Sequence, residues 1–210
     1  MGVAGPHAPV KEGHTEGRGF AIRALMPKAD EVAFMGDFIR RVNPALFIED
    51  RHCAEGLPEA IYQQSRAIGE DWIRVFALAW QESAFDCHAK NRFDPGGAYG
   101  PFQIRRLWEP LVGDPRHRYY DPELAVERVT RVIRYYQQTP RFRKLVSQGH
   151  GAPLLCLYNS GEVLQINTRY CTQVRAKYAA VRGAWEAYLE AVPAPLGLRW
   201  RASLSAMSHP

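Results

Sequence analysis

No stretch of the sequence approaches the roughly 20 consecutive apolar residues that a membrane-spanning helix needs, so no membrane span is expected. Strand signals are nearly absent and no internal repeat is visible, which points to an all-α architecture. Cysteine is scarce. Cys53, Cys87, Cys156 and Cys171 are too few and too scattered for a disulfide scaffold, none falls in a CxxC pair, and the combined Cys/His spacing does not read as a zinc site. Cys156 and Cys171 flank a loop, and one or two bridges would fit an oxidising compartment. Free buried thiols are nevertheless the expectation, because the sequence shows no pairing geometry. No block of like charges marks a nucleic-acid tail. The N-terminus, Met1-Gly2-Val3-Ala4-Gly5-Pro6-His7, lacks the charged start and apolar core of a secretory signal. Three routes stay open: a chain that is cytosolic when made, an export segment outside this sequence, or delivery by a dedicated machine.

What is present suits one domain with a short accessory segment. The chain has 210 residues, 46% hydrophobic and 11% aromatic, enough to bury a good core. Lys+Arg 27 against Asp+Glu 22 leaves a net charge of +5. That modest excess suits an anionic partner such as a cell-wall polymer, a phosphate backbone or a membrane surface, and does not choose among them.

Residues 1–29 are rich in Gly, His and Pro without an apolar period, and read as a flexible N-terminal arm. The folded domain is expected over 30–191, and a loose tail over 192–210. Asp30 is a candidate cap for a helix through Arg40, with Val32, Met35, Phe38 and Ile39 at helical spacing and Asn43-Pro44 ending it. A second helix is expected over Leu57–Ile68, with Pro58 in its first turn and Gly69 as its stop. Asp86 to Gly100 is too rich in Gly, Asp and Asn for helix and reads as a long ordered loop with room for a small β-ribbon. Pro101 is expected to open a short helix over Phe102–Trp108 that ends before Pro110. Asp121-Pro122-Glu123 reads as cap, first-turn proline and acidic first turn of a helix to about Gln138. Arg128, Arg131 and Arg134 are read as its solvated side. A short helix holding Phe142 and Leu145, an apolar helical turn over Ala152–Tyr158 and a long helix over Thr168–Ala191 complete the chain.

The stretch Trp72 to Phe85 organises the rest. Trp72-Ile73-Arg74-Val75-Phe76-Ala77-Leu78-Ala79-Trp80 is apolar nearly all round, as a buried helix is. Its end carries Gln81, Glu82 and Ser83, where a carboxylate is out of place. A buried, unpaired carboxylate costs several kcal/mol or takes up a proton. A glutamic acid kept protonated near neutral pH is what a general acid needs. The plain alternative is an inert, solvated helix end.

Three short motifs stand in order: Gln81-Glu82-Ser83-Ala84-Phe85, then Gly97-Ala98-Tyr99-Gly100-Pro101-Phe102-Gln103-Ile104, then Leu157-Tyr158-Asn159-Ser160-Gly161. With Asp121-Pro122 and the later Tyr170-Cys171-Thr172-Gln173-Val174-Arg175-Ala176-Lys177-Tyr178, this order resembles the soluble, lysozyme-like lytic transglycosylases, which cleave bacterial peptidoglycan. The family pattern is Glu-Ser, Gly-Ala-x-Gly-Leu-Met-Gln, Ala-Tyr-Asn-x-Gly, then Val-x-x-x-Tyr, and the resemblance covers about residues 57–178.

The resemblance implies a mainly α, lysozyme-like domain with a small β-ribbon beside the Glu82 helix. It implies that Glu82 protonates the glycosidic oxygen between N-acetylmuramic acid and N-acetylglucosamine, then takes the proton of the muramoyl 6-hydroxyl, leaving a 1,6-anhydro end. Tyr158 would hold the catalytic Glu82. Ser83, Gly100, Phe102, Gln103, Asn159 and Tyr178 would line or shape the glycan cleft, with Gly97 and Gly100 admitting the sugar close to backbone. No metal or cofactor is implied. The partners implied are peptidoglycan strands and a cell-envelope-spanning machine, not nucleic acid, and the location implied is the periplasm or cell envelope. Two departures stand out: Pro101-Phe102 replaces Leu-Met, and Leu157 replaces alanine before Tyr158-Asn159.

Two other readings remain at this level. A hydrolytic muramidase would need a group to activate water, for which Asp94 is the candidate, although Asp94-Pro95-Gly96 is also a good turn. A wall-binding assembly factor on the same fold would need no acid in a pocket. Nucleic-acid binding has only the net charge behind it, with no recognition motif.

Overall fold

Three aspartates start the helices on which the fold is built. Asp50 accepts from the Cys53 amide at 3.0 Å, Asp71 from the Ile73 amide at 3.0 Å and Asp121 from the Leu124 amide at 3.1 Å. Each satisfies an amide that the first turn leaves without a helical partner. The computed structural model describes residues 28–92, 96–147, 153–160 and 169–191, which lie in one unit, Lys28–Val192. Of the expected arm over 1–29, residues 28 and 29 belong to the first helix and residues 1–27 fall outside the described residues, as does the expected tail over 192–210.

The order is α1 (Lys28–Val42), α2 (Leu46–Glu49), α3 (Arg51–Ala67), α4 (Trp72–Ser83), β1 (Lys90–Asn91), β2 (Ala98–Tyr99), β3 (Ile104–Arg105), a 3₁₀ turn (Arg106–Trp108), α5 (Glu109–Val112), α6 (Pro122–Gln138), α7 (Pro140–Ser147), α8 (Pro153–Ser160) and α9 (Arg169–Ala191). The protein is mainly α with a small antiparallel sheet of order β1-β2-β3. No helix among the described residues is long and apolar enough to cross a membrane.

α4 is the central helix. Trp72, Ile73, Val75, Phe76, Ala77, Leu78 and Ala79 are all buried, and the helix packs on α3 and α9. Rings from α1 and α9 close over it: Phe38 meets Trp80 at 5.2 Å, Trp72 meets Trp185 at 5.6 Å and Phe34 meets Trp185 at 5.0 Å. Each such pair adds about 0.5–1.5 kcal/mol beyond the area it buries. The buried carboxylates nearby are answered. Glu31 accepts from the Trp72 indole at 3.1 Å, and Glu70 accepts from Arg74 at 2.9 Å and Gln137 at 2.7 Å.

Several expected boundaries move. α1 starts at Lys28, so Asp30 sits in an acidic first turn rather than at the cap. α3 starts at Arg51, so Pro58 lies within the helix. Gly56 then has a packing role: a Cβ there would stand 2.8 Å from Pro122 Cγ at the start of α6. The expected helix over Phe102–Trp108 does not form. Gln103 takes a positive φ of 47°, and Tyr99 and Ala98 pair with Ile104 and Arg105 as strand, leaving only Arg106–Trp108 as a 3₁₀ turn. α5 includes Pro110 in its first turn instead of stopping before it. Arg128 is not on a solvated side: it is buried, 5% exposed, and donates to the Asp114 carbonyl at 2.9 Å.

Both cysteine pairs are bridged, against the expectation of free thiols. Cys53–Cys87 ties α3 to the loop after α4, and Cys156–Cys171 ties α8 to α9. Their Cα atoms are 6.0 and 4.6 Å apart, within the reach of a disulfide.

Candidate active site

Glu82 owes its place to the way α4 ends. Ala84 and Phe85 both take left-handed backbone, φ 53° and 73°, and the Ala84 and Phe85 amides close on the carbonyls of Trp80 and Ala79 at 3.1 and 3.3 Å. This is the Schellman type of helix stop, here without glycine. A non-glycine residue costs about 1–2 kcal/mol in that conformation. The fully buried Phe85 ring, 4.6 Å from Phe76, opposes that cost. The Asn43 amide also holds the turn, donating to the Ala84 carbonyl at 3.0 Å. The helix therefore stops one residue after Glu82 and leaves its carboxylate on the wall of a recess.

That recess encloses about 120 Å³. It is lined by Glu82 at the end of α4, Tyr158 of α8, Asn91, Ala98 and Arg105 of the sheet, and Gln103 and Trp108 on either side of β3 in sequence. Glu82 is the one carboxylate among the described lining residues. Asp94 lies outside the described residues.

The group that holds Glu82 is Tyr170, at the start of α9, whose hydroxyl donates to Oε1. The expected holder, Tyr158, gives its proton to the Phe102 carbonyl at 2.7 Å instead. Burial pushes both phenols above their ordinary value, and the nearby Glu82 charge adds to the shift. Two elements thus bring a tyrosine to one carboxylate, and Cys156–Cys171 fastens them together. Lys177, two turns further along α9, donates to the Trp80 carbonyl at 2.9 Å and lies 5.0 Å over the Trp80 ring. A cation is well placed at the negative end of a helix. Burial lowers the Lys177 ammonium below its ordinary value, and attraction to Glu82 opposes that.

The loop before β3 is bolted to the end of α4. Ser83 donates through Oγ to the Pro101 carbonyl at 2.9 Å. Gln103 donates through Nε2 to the Gly100 and Ala89 carbonyls at 2.9 and 3.2 Å. A left-handed glutamine beside a recess is the kind of local strain found at functional sites.

The other expected site residues divide. Gln103 and Tyr158 line the recess with Glu82, and Ser83 braces the loop. Gly100 is buried: its φ is +74°, and a Cβ would stand 2.6 Å from the Tyr119 carbonyl, so it makes room for the protein's own backbone and not for a glycan. Gly97 similarly makes room for Tyr99. Phe102 is wholly buried, 0% exposed, and contributes its carbonyl rather than its ring. Tyr178 is elsewhere. Its hydroxyl donates to Asp71 at 3.2 Å, at the opposite end of α4, about 16 Å from Glu82 at 1.5 Å per residue. Asn159 falls within α8, but its side chain lies outside the described residues.

Tyr170, Lys177, Arg105, Trp108 and Asn91 were not expected at the site. One signal for Tyr170 was available: it adjoins Cys171, whose bridge partner Cys156 stands two residues before Tyr158. Asp50, Cys53 and Cys87 bring metal-ligand atoms within 4.8 Å of one another, but both sulfurs are joined in the disulfide and Asp50 caps α3. Compared with protein-family models, curated proteins and solved structures, the chain finds no match.

Proposed function

We propose that the protein is a peptidoglycan lytic transglycosylase that cleaves the β-1,4 bond between N-acetylmuramic acid and N-acetylglucosamine. The observation that carries this reading is a single carboxyl group, Glu82, held by Tyr170 on the wall of a polar and aromatic recess. The family resemblance of the motifs around Glu82, Gln103 and Tyr158 supports it. Glycosidases that work with two carboxylates need both flanking the scissile bond, and the described lining has one.

Glu82, protonated, gives its proton to the glycosidic oxygen as the bond from that oxygen to C1 of the muramoyl residue breaks. The oxocarbenium-like centre is stabilised by the substrate's own N-acetyl group. The muramoyl 6-hydroxyl then bonds to C1, and its proton returns to Glu82, closing a 1,6-anhydro ring and restoring the acid without water. Influences on Glu82 oppose one another, as an acid that must also act as base requires. The negative end of α4 and partial burial favour the proton, while the Tyr170 hydroxyl and the Lys177 ammonium favour the carboxylate.

The net charge of +5 suits the anionic wall. The periplasm or cell envelope as location, and service to an envelope-spanning machine, belong to the same proposal. Clearance of a peptidoglycan suspension by wild type, abolished in a normally folded Glu82→Gln variant, is the expected result. Equal clearance by that variant would refute the assignment of Glu82.

A further inference from the structure

We infer that His88, Tyr119 and Tyr120 form a second carbohydrate-binding surface, where the glycan strand that enters the recess lays a further sugar ring on the exposed His88–Tyr120 stack. This rests on the glycan-cleaving reading and deepens it. The recess encloses about 120 Å³, less than the roughly 300–1,000 Å³ of an ordinary ligand pocket. A polymer held there needs contacts outside it, and binding energy gathered away from the reacting bond serves the chemistry at that bond.

The ribbon separates two faces. Asn91 pairs with Ala98, and both line the recess. Lys90, one position back, pairs with Tyr99, and alternation along a strand turns that pair to the opposite face. There Tyr99 lies 5.7 Å from Tyr119, and the Lys90 ammonium stands 4.9 Å over the Tyr119 ring. Tyr119 in turn meets Tyr120 at 5.6 Å. Tyr120 is stacked on His88 at 5.6 Å, with the ring planes only 13° apart.

The stack is fixed from three sides. His88 Nε2 meets the carboxylate of Asp50, the cap of α3, at 3.0 Å. The Tyr119 carbonyl is seated against Gly100, 2.6 Å from where a Cβ would stand. Arg118, just before the tyrosine pair, bonds to Asp121, just after it and the cap of α6. Yet Tyr120 is 46% exposed and the His88 side chain 56%. Rings already immobilised lose little freedom when a ligand settles on them, and a flat ring takes the C–H groups of a pyranose as it takes other apolar surface. The route from the recess runs over β1, the edge of the sheet. Its two residues, Lys90 and Asn91, are both exposed and turn to the two faces in succession.

The test uses the full chain carrying Glu82→Gln, to prevent turnover. It is titrated calorimetrically with a tetrasaccharide and an octasaccharide of the wall glycan, both freed of peptide. The octasaccharide is expected to bind about tenfold more tightly, the upper end of what one aromatic contact supplies. Adding Tyr120→Ala should remove that difference, and Tyr120→Phe, which keeps the ring, should retain it. A variant that only disturbs the fold weakens both ligands and leaves their ratio unchanged. Nitration of exposed tyrosines with tetranitromethane, read by peptide mapping, needs no variant: the octasaccharide should protect Tyr120 and the tetrasaccharide should not. Equal affinity for the two lengths, binding of neither, a difference that survives Tyr120→Ala or is lost in Tyr120→Phe, or no protection of Tyr120 overturns the inference. Wild-type digestion of whole peptidoglycan is run alongside. Cleavage without a length difference removes the second surface alone, whereas a length difference without cleavage removes the enzymatic reading and leaves the surface standing.

Discussion

Replacing Tyr170 by phenylalanine removes one oxygen, the donor to Glu82 Oε1, and leaves the ring that packs there. A hydrogen bond to an ionised group is worth about 1.5–3 kcal/mol, equivalent to about one to two pH units in the ionisation of that group. Losing a donor disfavours the carboxylate, so the limb of the pH profile that reports loss of the Glu82 proton should move upward by about that amount. The rate should fall about ten- to a hundredfold as the carboxyl loses its orientation. Tyr158→Phe is the control. It leaves the buried Phe102 carbonyl without its 2.7 Å partner, which should cost about 1–3 kcal/mol of stability and leave the centre of the profile in place. The assay is kcat/KM against pH on solubilised glycan strands, which reports groups of the free enzyme, with thermal unfolding of each variant. If Tyr158→Phe shifts the profile and Tyr170→Phe does not, the assignment of Tyr170 as the residue holding Glu82 is wrong.

Replacing Cys156 and Cys171 together by serine opens a link of sequence separation 15. It should cost about 3 kcal/mol, seen as a lowered unfolding midpoint with a drop in activity; full activity with lowered stability would separate the bridge from the site. Tyr178→Phe removes only the contact to Asp71 at the far end of α4 and should leave kcat/KM unchanged. A large loss there would mean that the glycan reaches that end. Tyr158 and Tyr170 are both held above the ordinary phenol value of 10.0, so the folded chain keeps protons that the unfolded chain releases. Their stabilisation is complete below pH 10 and declines above it, by about 1.4 kcal/mol per pH unit for each phenol. Denaturant unfolding on either side of pH 10 measures this, and a flat stability across that range would contradict it.

The helices were legible because their signals are local. Asp121-Pro122 carries its own start signal, and the apolar run from Trp72 to Trp80 announces a buried helix wherever it packs. The sheet was legible only as a small β-ribbon in the loop after Glu82; its third strand and its register were not, since each strand has two residues, too short to show a period. The helix predicted over Phe102–Trp108 failed for a tertiary reason: Gln103 takes left-handed backbone while Ser83 holds the Pro101 carbonyl. Glu82 could be named from its chemistry, a carboxylate at the end of an apolar helix. Its partner could not, because Tyr158 and Tyr170 are both tyrosines near a cysteine, and only the packing of α8 and α9 decides which one reaches the acid. Gly100 and Phe102 belong to a motif beside the site but serve the protein's own packing, a distinction that spacing does not carry.

The most direct test of the central claim is mass spectrometry of the muropeptides released from purified peptidoglycan by the wild-type chain, with Glu82→Gln in parallel. Products ending in 1,6-anhydro-N-acetylmuramic acid from wild type, and none from the variant, are what a single carboxyl acting as acid and then base predicts. Hydrated reducing ends without anhydro product, or anhydro product from the variant, would contradict it.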